Sequence, residues 1–126
     1  MATTSRARKN FGDSAERVAA LHLEQNGYRV IARNVRTRHG EIDIIAEDND
    51  GLAFVEVKAR RTRKYGAPEE ALTPRKQLKL VQLADSFIAA NEMFAEKAWR
   101  IDVVAIELDK TGKLIRLEVI KNAVEM

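Results

Sequence analysis

Cysteine is absent from the chain, which excludes disulfides, thiolate metal sites and thiol nucleophiles. Two prolines and six glycines are all that interrupt 126 residues, too few for a low-complexity or linker-rich chain. No apolar run approaches the ~20 residues that would span a bilayer, so no membrane partner is expected. The amino terminus, Met1-Ala-Thr-Thr-Ser-Arg-Ala-Arg-Lys9, is basic and lacks the apolar core of a secretory signal. Residues 1–10 read as a flexible basic arm, and a cytoplasmic location is expected. No phosphate-cradling glycine loop and no Ser-His-Asp set is found, and His22 and His39 belong to no metal-ligand spacing.

What the chain does have is 45% apolar and 33% charged residues. That balance suits one soluble domain, residues 11–126, able to bury a core. The net charge of +3 is small, but its distribution is uneven. Arg29, Arg33, Arg36 and Arg38 form one basic stretch, and Lys58, Arg60, Arg61, Arg63 and Lys64 form another. Such clusters suit phosphate contacts; the alternative is solvated loops balanced by nearby acids.

Hydrophobic periodicity predicts a helix over Asp13–Gln25, stopped by Asn26-Gly27. Glu16 falls among Ala19, Ala20 and Leu23 on that helix, either inside the apolar arc or at its edge with its carboxylate turned outward. Tyr28–Val35, Glu41–Ala46 and Leu52–Ala59 read as three strands. Asp48-Asn-Asp-Gly51 is a hairpin turn that sets Glu47 opposite Leu52 and, counting back, Asp43 opposite Glu56. Thr73-Pro74 is an N-cap and N1 pair opening a helix to about Ala90. Trp99–Leu108 and Lys113–Ile120 complete the strands, joined by the turn Asp109-Lys-Thr-Gly112. Helix, three strands, helix, two strands predicts a mixed sheet covered by helices, in the α/β or α+β class.

Two of these strands carry acids among β-branched residues: Glu41-Ile-Asp43-Ile-Ile45 and Phe54-Val-Glu56-Val-Lys58. Alternation places Asp43 with Glu41 and Ile45, and Glu56 with Lys58 and Phe54. Carboxylates in such surroundings are costly unless a partner or a metal neutralises them. Phosphodiester hydrolysis needs an activated water and relief of growing negative charge, which Mg²⁺ or Mn²⁺ can supply when held by hard oxygen donors. Asp43, Glu56, the Val57 carbonyl and Glu16 are the candidate ligands, and the Lys58 ammonium is suited to stabilising the transition state. A Lys58–Asp43 ion pair across the strands is the structural alternative. Lys76 and Gln77 reach either a phosphate near the helix start or solvent, and Arg100 with Asp102 reads as pairing inside the sheet.

Gly40-Glu-Ile-Asp43-Ile-Ile, Phe54-Val-Glu-Val-Lys58-Ala-Arg60 and Arg100-Ile-Asp-Val-Val104, together with Asn34 and Gly12-x-x-x-Glu16, closely resemble the YraN-type bacterial family. That family looks like a member of the PD-(D/E)xK nuclease superfamily, close to Holliday junction resolvases. The resemblance implies an α/β, restriction-endonuclease-like fold whose mixed central sheet has about five strands flanked by helices. It puts Asp43, Glu56 and Lys58 in the motif positions and Glu16 in that of the helix acid. Ile42 stands where the superfamily's name has proline, a position that supplies no ligand. The expected function is a Mg²⁺- or Mn²⁺-dependent nuclease acting on nucleic acid, DNA ahead of RNA and branched DNA among the substrates. Arg36, Arg60, Arg61, Arg63, Lys64 and Lys76 are its expected backbone contacts, and junction resolution would call for a homodimer. The alternatives are a nucleic-acid-binding module of the same fold without catalysis, and an interaction scaffold whose acids form an ion-pair network.

Overall fold

The computed structural model describes residues 5–125. Helix α1 (Ser5–Gln25) is followed by strands β1 (Arg29–Thr37), β2 (Gly40–Asp48) and β3 (Gly51–Arg60). A short 3-10 turn at Pro68–Ala71 leads to helix α2 (Pro74–Ala90), and β4 (Trp99–Leu108) and β5 (Leu114–Ile120) close the fold. Residues 5–10, read from composition as part of an arm, extend α1; residues 1–4 lie outside the described residues. Asn26 and Gly27 end α1 as expected, with Gly27 at φ +90° and the Tyr28 N–H donating to the Leu23 carbonyl at 3.1 Å. Thr73 caps α2, its hydroxyl accepting from the Lys76 N–H at 3.3 Å, and Pro74 occupies the first turn, where a missing donor costs nothing.

The five strands form one sheet in the order β1-β2-β3-β4-β5. Every neighbouring pair is antiparallel except β3 and β4, which run parallel because α2 carries the chain over one face between them. Each helix seals one face. Ala15, Ala19, Ala20 and Leu23 of α1 pack on Ile44, Ala46, Ala53, Val55, Val104 and Ile106. Leu83 and Ala84 of α2 pack on Ile42, Ile45, Leu52, Phe54 and Ile101, where the Phe54 ring meets Phe87 and Trp99 edge-on at 5.7 and 5.5 Å. The α/β class and the mixed five-stranded sheet flanked by helices follow the expectation.

A buried polar network fixes one end of this sheet. Asp102, fully buried, accepts from the Tyr28 hydroxyl at 3.0 Å, Arg100 Nε at 2.9 Å and the Asn122 N–H at 2.9 Å. Arg100 in turn donates to Asp48 at 2.8 and 3.1 Å. Arg100 and Asp102 tie β4 to the β2–β3 turn, to Tyr28 ahead of β1 and to Asn122 after β5. In the same turn Gly51 has φ +133°, and a Cβ there would sit 2.4 Å from the Ala98 carbonyl oxygen. Only glycine fits that position.

The hairpin register is as expected, with Glu47 opposite Leu52 and Asp48 opposite Gly51. The ladder then stops at Ile44–Val55. Beyond it β2 stays paired with β1 as far as Thr37–Gly40, and β3 with β4 as far as Arg60–Glu107. The sheet thus forks where Asp43 and Glu56 begin. Strict alternation fails at the same place: Ile42 and Ile45 both lie under α2, while Ile44 lies under α1. The reading that Asp43 shares a face with Ile45 is corrected accordingly, because past Ile44 the strand follows β1, where Asn34 interrupts the extended run at φ +52°.

Candidate metal centre

Once β2 and β3 part, their inward backbone groups need other partners. The pairing alternation from the hairpin would have set Val57 against Ile42; the Val57 N–H donates instead to Asp43 Oδ2 at 2.9 Å. A strand residue presents its N–H and C=O to the same neighbour, so the Val57 carbonyl faces the fork as well.

Asp43 is common to two groups of side chains. On one side, carboxylate oxygens of Glu16, Glu41 and Asp43 lie within 4.8 Å of one another. Glu16 arrives from α1, one turn before the buried Ala19–Ala20 pair that seats the helix on the sheet. Arg33 lies 3.9 Å from Glu16. The Asn34 carboxamide sits between two of these acids, its nitrogen 2.9 Å from Glu41 Oε1 and 2.6 Å from Glu16 Oε2 in the orientation that satisfies both. On the other side, Glu56 faces Asp43, and Lys58 Nζ lies 3.4 Å from Glu56 Oε1. Lys58 thus pairs along its own strand, in place of the cross-strand pairing with Asp43 weighed from the sequence.

The electrostatics fit a crowded acidic site. Burial, then the charges of Asp43 and Glu41, push the Glu16 carboxyl up to about 7, with Arg33 opposing. Burial and Asp43 push Glu56 up to about 7 as well, with Lys58 opposing. Desolvated carboxylates that repel one another release that strain when a cation joins them. All the donors are hard oxygens, the set that Mg²⁺ and Mn²⁺ prefer. The residues fit such an ion.

Beside the fork opens a cleft of about 220 Å³, lined by Gly40, Glu41, Glu56 and Lys58 from the strands and by Leu72, Lys76, Lys79, Leu80 and Leu83 from the α2 side. Gly40 holds φ +141°, which favours glycine, and faces α2, where a Cβ would make ordinary contact with Leu83 at 3.5 Å and Lys79 at 3.6 Å. Of the expected backbone contacts, Lys76 lines this cleft and Arg36 is exposed on β1, opposite Glu41. Arg60 ends β3, Arg61 lies over the Phe11 ring at 4.8 Å, and Lys64 over Tyr65 at 5.6 Å. Arg63 donates to both oxygens of Glu107 at 2.6 and 2.8 Å, so its guanidinium is already engaged. Glu41 and Lys79 were not among the sequence candidates. Glu41, two residues before Asp43, carried a signal that went unused; Lys79 carried none, since its place depends on α2 meeting Gly40.

Among the described residues, no helix is long and apolar enough to cross a membrane. Among solved structures, SfsA of Pyrococcus furiosus, determined in complex with Ca²⁺, is similar with 18% identity and a TM-score of 0.37, over 94% of this chain and 63% of that one. A protein of Symbiobacterium thermophilum is 47% identical over 115 residues, 91% of this chain and 96% of the relative. Relatives in Syntrophus aciditrophicus and Roseiflexus castenholzii are 44% and 43% identical, covering 91% and 94% of this chain and 88% and 95% of their own lengths. Each of the three is described as a UPF0102 protein, the YraN-type family that the motifs resemble. The model of that family matches residues 15–106. The chain belongs to the uncharacterised protein family UPF0102.

Proposed function

We propose that the chain is a Mg²⁺- or Mn²⁺-dependent nuclease that hydrolyses phosphodiester bonds in DNA, branched DNA included. The observation that carries this reading is the fork, where Glu16, Glu41 and Asp43 converge beside the Glu56–Lys58 pair. Glu16, Glu41 and Asp43, whose carboxylates converge, would hold the ion together with Glu56, with the Val57 carbonyl facing the same gap. A bound ion there supplies Lewis-acid relief of negative charge on the phosphodiester. Lys58, held by Glu56 at 3.4 Å, keeps its ammonium beside the acids, where it offsets charge developing on a phosphoryl oxygen. Lys76 and Lys79 on the α2 wall of the cleft offer phosphate contacts for the flanking backbone.

The test incubates the purified chain with end-labelled duplex, single-stranded, flap and four-way-junction DNA in Mn²⁺, Mg²⁺ or EDTA. Metal-dependent cleavage is expected, lowered about 10²-fold or more in kcat by Lys58→Ala and abolished by Glu56→Gln. Cleavage that survives both EDTA and Glu56→Gln overturns the metal mechanism. Salt-sensitive binding of every substrate without cleavage leaves a binding module of the same fold.

A further inference from the structure

We propose that Asn34 is the positioning residue of the acidic centre: its carboxamide nitrogen bridges Glu16 and Glu41 and holds both carboxylates facing one divalent cation. The inference rests on the metal reading above and assigns a part that reading does not contain. Three observations converge on it. In the amide orientation that satisfies both acids, Asn34 Nδ2 lies 2.6 Å from Glu16 Oε2 and 2.9 Å from Glu41 Oε1, one donor for each acid. The two acids come from elements far apart in the chain, α1 and β2. Asn34 also holds φ +52° in the middle of β1, a conformation few side chains other than asparagine tolerate.

The chemistry of position 34 is narrow. Lysine or arginine would neutralise the acids and compete with the cation for them. Aspartate has no N–H to donate and adds repulsion. Glycine fits the backbone but bridges nothing. A neutral side chain with two hydrogens on one nitrogen orders both carboxylates and leaves their charge for the metal, as ligand-orienting groups do elsewhere. Arg33, 3.9 Å from Glu16, is beyond hydrogen-bonding distance and cannot substitute.

Asn34→Gly keeps the backbone conformation, so loss of the fold does not confuse the test. Mn²⁺ affinity is measured by calorimetry for the wild type, Asn34→Gly, Glu16→Gln and the double variant, alongside metal-free melting curves. In metal-free protein, the Asn34 side-chain amide resonances are followed by NMR in Glu16→Gln and Glu41→Gln. Expected results are a loss of about tenfold or more in Mn²⁺ affinity for Asn34→Gly, a smaller loss for the same change made on Glu16→Gln, and movement of the amide resonances in both acid variants. Unchanged affinity in Asn34→Gly, strictly additive losses, or an amide indifferent to both acid variants overturns the assignment while leaving the metal centre standing. A wild-type chain that binds no Mn²⁺ overturns the metal reading itself, and this role with it.

Discussion

Burial and neighbouring acids push the Glu16 and Glu56 carboxyls each up to about 7, so a cation that uses both must displace protons from them. A carboxyl with a pKa of about 7 is some ten-to-one protonated at pH 6 and ten-to-one ionised at pH 8, which for two groups amounts to about a hundredfold in apparent metal affinity. Among the described residues, Asp43, Glu41, Asp13 and Arg33 act on Glu16, and Asp43 and Lys58 on Glu56. Calorimetric titration of Mn²⁺ between pH 6 and 8 is expected to show that rise. At pH 7, runs in two buffers of different ionisation heat should report about one proton released per ion, half from each acid. Glu56→Gln should flatten the rise to about tenfold. The stability of the metal-free chain moves the other way. Between about 4.5 and 7 the folded state holds protons that the unfolded chain has lost, so stability falls as pH rises through that window. Equal Mn²⁺ affinity at pH 6 and 8, with no proton release, would refute the argument that these two acids share the ion.

Asp102→Ala leaves Arg100, the Tyr28 hydroxyl and the Asn122 N–H without their common acceptor. A loss of about 3 to 5 kcal/mol is expected in urea denaturation, with little effect on the metal affinity of whatever remains folded. Gly51→Ala combines a φ of +133° with a Cβ 2.4 Å from a main-chain oxygen, and should cost more than about 1 kcal/mol; a neutral result would mean that β3 and the segment before β4 do not meet as described. Arg63, then Arg116, hold the Glu107 carboxyl down to about 2. Its stabilisation is complete above the ordinary glutamate range and is lost as pH falls toward 2. Arg63→Ala should therefore move the midpoint of acid unfolding to higher pH, and an unmoved midpoint would remove Glu107 from the acid-sensitive set.

Elements and hairpin register were legible because their causes are local. Asn26-Gly27, Thr73-Pro74 and Asp48–Gly51 each act within a few residues, and each lands where the structure has it. The candidate acids were legible too, since Asp43 and Glu56 interrupt apolar strands. What could not be read was the way the strands part. Counting back from the turn put Asp43 opposite Glu56 in a continuous ladder, whereas the ladder ends one pair earlier and Asp43 turns toward α1. That departure depends on β1 holding β2, a competition between two neighbours of one strand that no single segment encodes. The basic run after β3 shows the same limit. Charge alone does not distinguish Arg63, tied to Glu107 some 44 residues away, from Lys76 in the cleft.

The fork gives this sheet two short interior edges in addition to its outer ones. Open edges invite foreign strands and are ordinarily blunted by charge or cover. Here the Asp43 carboxylate closes the gap by taking the Val57 N–H, so one side chain is both a plug in the sheet and a member of the acidic centre. Removing it with alanine would strip charge and reopen the edge together, and a loss of the proposed activity would have two causes. Asp43→Asn keeps an acceptor for Val57 while withdrawing the charge, and is the substitution that separates the two.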